Sequence, residues 1–100
     1  MSIEIEKLIP AKEFFSMPNM QVGQGGDERN IKLTAQTLEK EGFDVFFIDN
    51  PRDRGYSDTM YFKPKKKSSK VSVKLLTMLV GLRPDECSVE PTGLVRMWWD

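Results

Sequence analysis

Three groups of residues carry chemistry by type and spacing. Lys63, Lys65, Lys66, Lys67, Lys70 and Lys74 form a basic run, joined from a nearby turn by Arg52 and Arg54. Clustered cations of this kind neutralise phosphates. Asp49, Asp53 and Asp58 surround the same turn, where paired carboxylates could hold a divalent cation or act as acid and base. Arg52 and Arg54 lie between them, so ion pairs inside the turn are the expected use. Gly23-Gln24-Gly25-Gly26 runs into Asp27, the pattern of a backbone cradle for an anion at a helix start.

What is missing narrows the chemistry further. The chain has no histidine and one cysteine, Cys87. That removes the commonest general base, every Ser-His or Cys-His nucleophile pair and any thiolate zinc site. Cys87 reads as a small strand residue with no His or Lys neighbour in sequence to activate it. No cofactor and no metal are expected, and the reading is of a protein that is not an enzyme.

Two local resemblances can be weighed against these residues. Arg54-Gly55-Tyr56-Ser57-Asp58-Thr59-Met60-Tyr61 resembles the RNP1 signature of RNA-recognition motifs, with Arg54, Gly55, Tyr56 and Tyr61 in the matching positions. The resemblance implies RNA or single-strand binding, with Tyr56 and Tyr61 stacking on bases and Arg52, Arg54, Lys65, Lys66, Lys67 and Lys70 on phosphates. Ser57, Asp58 and Thr59 depart from the signature. The first strand offers Ile3-Glu4-Ile5-Glu6 where that family stacks a second base. Val22 to Asp27, the following helix and Gly42 to Phe47 resemble the acetyl-CoA loop, helix and strand of N-acetyltransferases. Gly25 matches, whereas Val22 replaces the leading Arg or Gln and Asp27 the closing small residue. That resemblance implies acyl-CoA binding, but Asp27 and Glu28 would repel a pyrophosphate.

The elements that must position these residues read strand, helix, strand, strand, helix, strand. Ile3 and Ile5 alternating with Glu4 and Glu6 predict a first strand from Ser2 to Leu8. Pro10 opens a short helix through Phe15, and Pro18 ends it. Residues 16–26 form a flexible glycine-rich loop, with a short strand at Met20 to Val22. Asp27 caps a main helix whose stripe is Ile31, Ala35 and Leu38, and Gly42 stops it. Phe43–Asp49 and Asp58–Lys63 predict an antiparallel hairpin closed by Pro64. Ser68 or Ser69 caps a second helix ending near Val80 and Gly81. Its Val71, Val73, Leu75, Leu76, Met78, Leu79 and Val80 wrap most of the circumference, which requires cover from a second direction. Cys87–Glu90, a turn at Pro91-Thr92-Gly93 and Leu94–Trp99 complete a final hairpin.

The order fits a single α+β domain over residues 1–100, a two-layer sandwich of ferredoxin-like β-α-β-β-α-β order with an extra C-terminal hairpin. Composition is that of a globular chain, 39% hydrophobic and 30% charged with a formal net charge of zero. Residues 1–50 carry five Lys/Arg against nine Asp/Glu, and residues 51–100 ten against six. Such a dipolar chain suits self-association or a charged partner. The acidic start is not a signal peptide, no run is long enough to span a bilayer, and a cytoplasmic protein with no membrane partner is expected.

Met97, Trp98 and Trp99 are the last candidates. Neighbours on a strand face opposite ways, so one Trp joins the core and the other faces out as an anchor. With the apolar second helix, they predict a homodimer or protein partner contacted through Met97, Trp98 and Trp99. The resulting expectation is a small binding or regulatory protein, of the orphan kind carried by phages and mobile elements. Nucleic-acid binding is the alternative, and an acetyltransferase-like protein the second.

Overall fold

The computed structural model describes residues 8–18, 20–23, 27–48, 55–67, 69–91 and 93–99. The chain is a mixed α+β protein with a mostly antiparallel sheet and three helices among the described residues. Strand β1 is Leu8–Pro10, and helix α1 is Ala11–Phe15. Strand β2 is Gln21–Val22, helix α2 is Glu28–Lys40 and strand β3 is Phe43–Ile48. Strands β4, Tyr56–Ser57, and β5, Thr59–Pro64, follow. Helix α3, Val73–Gly81, and strands β6, Glu86–Val89, and β7, Val95–Trp98, close the fold. The expected strand at Ser2 to Leu8 falls outside the described residues up to Leu8.

Five strands pair antiparallel in the order β1-β3-β5-β7-β6, and β2 pairs with β4 as a short parallel strap. Period-two alternation splits the large sheet. Phe43, Val45, Phe47, Met60, Phe62 and Met97 enter the core with Ile31, Ala35 and Leu38 of α2 and Leu75 and Leu79 of α3. Phe47 stacks on Phe14 of α1, with ring centroids 4.5 Å apart. Asp44, Phe46, Ile48, Tyr61, Arg96 and Trp98 point the other way and are half-buried.

Local chemistry sets the helix ends. The Asp27 carboxylate accepts from the backbone N–H groups of Arg29 and Asn30, which satisfies two of the orphan donors at the α2 start. Gly42 stops α2 at φ 97°, and its carbonyl accepts from Lys65 N (2.9 Å) and Ser69 Oγ (2.9 Å). That bond diverts Ser69 from capping, so α3 starts later than expected. Ser72 is its cap, accepting from Leu75 N at 3.1 Å. No helix among the described residues is long and apolar enough to cross a membrane.

Candidate protein-contact surface

Helix α3 carries three stripes. At 100° per residue, Leu75 and Leu79, with Leu82 just beyond, face the core. Lys74, Thr77 and Gly81 form a polar stripe. Val73, Leu76 and Val80 form a third, apolar and exposed at 82%, 55% and 69%. The apolar excess of this helix therefore turns outward rather than into the domain.

Beside that stripe lies an apolar groove of about 420 Å³. Phe62, Val95 and Met97 make its floor, Val71, Leu76 and Val80 one wall, and Pro84 and Cys87 the far end. Strand β6 borders it as the last strand of the sheet. All four β6 residues are exposed, Val89 at 70%, and its outer side pairs with no strand among the described residues. Asp85, Glu86 and Glu90 flank this strand with negative charge, Glu86 being held by Arg96 at 3.4 Å. Cys87 is a free, exposed thiol.

The two tryptophans go opposite ways. Trp99 is 1% exposed; its Nε1 donates to the Leu82 carbonyl at 2.9 Å and its backbone N–H to Asp58 O at 2.9 Å. Gly23, at φ 57°, packs against it so closely that a Cβ there would lie 2.9 Å from the Trp99 Cβ. Met97 is also buried. Of the three residues expected at an interface, Met97 and Trp99 are thus core residues, and Trp98 alone presents surface.

Trp98 stands on the sheet face turned away from the helices, paired with Thr59 and Glu86. The next row on that face is Phe46, Tyr61, Arg96 and Ser88, with Lys63 opposite Asp44 one row further on. Sequence reasoning named Tyr61 but missed Phe46 and Arg96, because this row depends on strand order. Tyr56 lies on the β2–β4 strap, so the two tyrosines expected to stack on bases belong to different sheets.

The basic residues remain outside the core. Lys65, Lys66, Lys67, Lys70 and Lys74 are exposed, and Lys65 approaches Asp44 at 3.8 Å. Arg52 and Arg54 lie outside the described residues, as do Asp49 and Asp53. Asp58 accepts from Thr59 Oγ1 at 2.8 Å. Among the described residues no cluster of His, Cys, Asp or Glu could hold a metal ion. Of the run Gly23-Gln24-Gly25-Gly26 only Gly23 is described. The N–H groups at the α2 start, where an acyl-CoA phosphate would sit, are taken by Asp27.

An open cleft of about 620 Å³ between α1 and α2 is lined by Lys12, Lys32, Lys40 and Glu39 around Phe15 and Ala35. Its charges are mixed and its rim polar, so it lacks the apolar character of the α3–β6 groove. No family model matches this chain, and no curated protein and no solved structure matches it either.

Proposed function

We propose that the chain is a small non-enzymatic binding protein of the cytoplasm, acting through protein contacts as a homodimer on a two-layer, ferredoxin-like α+β framework. The observation that carries this reading is the exposed stripe Val73, Leu76 and Val80 beside the apolar groove and the bare strand β6. An exposed apolar patch of this kind on a charged surface marks a contact site. The free, exposed Cys87 suits a reducing compartment. Burial alternating along β3 supports the two-layer reading. The test is affinity capture from the source cells with wild type and Val80→Glu in parallel. Proteins of defined identity, or the chain itself, should be retained by the first and lost by the second; identical capture would count against this surface.

A second reading, single-stranded nucleic-acid binding, is favoured by one observation. Phe46, Tyr61 and Arg96 stand in one cross-strand row of the sheet face opposite the helices, and Lys63 and the Lys65–Lys67 turn lie at one end of it. Aromatic rows beside cations are the usual stacking platform for single strands. Binding of a labelled oligonucleotide should weaken steeply with salt and with Tyr61→Ala. Absence of binding at low salt would end this reading.

A further inference from the structure

We infer that the occupant of the α3–β6 groove is helix α3 of a second copy of this chain. The two helices pack antiparallel about a two-fold axis, so that each covers the β6 strand its partner leaves bare. The inference rests on the protein-contact reading above and names the partner at that same surface.

Three observations point to a second copy. The first is geometric. The exposed stripe of α3 stands roughly 120° round the helix from its buried stripe, so the helix needs cover from two directions. Its own sheet supplies one. The β6 end of that sheet, in turn, has apolar residues, Cys87 and Val89, on the side facing the groove and, among the described residues, no helix over them. One surface therefore carries both a surplus helix face and a strand lacking one. A two-fold pairing satisfies both at once, which is the isologous condition.

The second observation is charge. The lead-in and first turn of α3 carry Lys70 and Lys74 and no acid. The C-terminal end of α3 runs through Arg83 into Asp85 and Glu86. Antiparallel packing sets the lysine end of each helix beside this acidic end of its partner, and opposes the two helix dipoles favourably. The other symmetric arrangement, β6 edge to β6 edge, brings Glu90 of each copy against Asp85 and Glu86 of the other. Charges flanking an edge strand discourage that pairing.

The third is area. Val71, Val73, Leu76, Val80 and Val89 expose on the order of 400 Å² of apolar surface per copy. Covered twice, with a polar rim in ordinary proportion, this gives a dimer interface of roughly 1,300 Å². That lies at the lower end of specific interfaces, so the dimer should be reversible and concentration-dependent.

Sedimentation equilibrium from about 1 µM to about 500 µM tests this, a span chosen for an interface of that size. Wild type should pass from the 11.5 kDa chain mass to twice that value. Val80→Glu and, separately, Val73→Glu should weaken the dimer by at least about tenfold, since each places a charge in an apolar interface. Both sites are exposed, and an unchanged circular dichroism spectrum verifies the fold. Salt should weaken the wild-type dimer but strengthen a Lys70→Glu/Lys74→Glu variant, whose new carboxylates repel Asp85 and Glu86 of the partner until salt screens them. The Cys87 thiol should react more slowly with a thiol reagent as wild type dimerises. A dimer that survives both glutamate variants overturns the inference while leaving protein contact at another surface standing. A monomer at every concentration also overturns it, and the homodimer with it; protein contact as such then falls only if the wild-type chain retains no protein of defined identity in the capture.

Discussion

Trp98 and Trp99 are neighbours of identical type, so replacing each with phenylalanine isolates the effect of position. In Trp99→Phe the Leu82 carbonyl loses the indole donor at 2.9 Å and stays buried. An unsatisfied buried acceptor costs about 1–3 kcal/mol. The smaller ring leaves a space in the core, adding about 1 kcal/mol as a partial large-to-small change. The total is about 3 kcal/mol, a large share of the roughly 5–15 kcal/mol that holds a domain of this size. It should lower Tm by about 15 °C. Trp98 is half-buried on the outer sheet face, so Trp98→Phe should cost less than about 1 kcal/mol and move Tm only a few degrees. Urea and thermal unfolding by far-ultraviolet circular dichroism give both values. Dilute protein keeps dimerisation from adding to the apparent stability. If Trp98→Phe costs as much as Trp99→Phe, the assignment of the two rings to opposite faces is wrong.

Further outcomes follow from individual residues. Gly23→Ala should destabilise by about 2 kcal/mol in urea titration, because φ 57° strains any L side chain and its Cβ would collide with Trp99. Asp27→Ala should cost about 1 kcal/mol by removing the α2 cap. Ser72→Ala should cost a similar amount at α3, whereas Ser69→Ala leaves the α3 cap in place, and helix-region hydrogen exchange separates the two. Cys87 should react with a disulfide reagent in the folded monomer without denaturant, since its thiol is exposed.

Much of the framework was legible because local rules agree there. Asp27, the Ile31-Ala35-Leu38 stripe and Gly42 delimit α2 almost to the residue. The sequence offered no reason to bury Thr34, but its hydroxyl bonds back to Asn30 O at 2.8 Å and so removes the cost. Three serines precede α3, and choosing among them requires knowing that Gly42 O captures the Ser69 hydroxyl across 27 residues. The apolar circumference of α3 announced a need for extra cover, but not which third of it turns outward. That depends on where the sheet lies. The Trp order is likewise a matter of parity: once Met97 faces the core, Trp99 must follow it and Trp98 cannot. The row Phe46, Tyr61 and Arg96 draws on three strands, with α3 intervening in the chain, so no local pattern could assemble it.

The strand order bears on how the chain reaches this state. β3 and β5 form one hairpin and β6 and β7 another, each closed by contacts near in sequence. The two pair along β5 and β7, where Met60 meets Met97 and Phe62 meets Val95, more than thirty residues apart. Such a distant pairing is entropically slow to form and fast to test kinetically. The two hairpins should therefore gain protection from hydrogen exchange early in refolding. The amides along the β5–β7 seam should gain it last, as a single cooperative step that sets the overall folding rate.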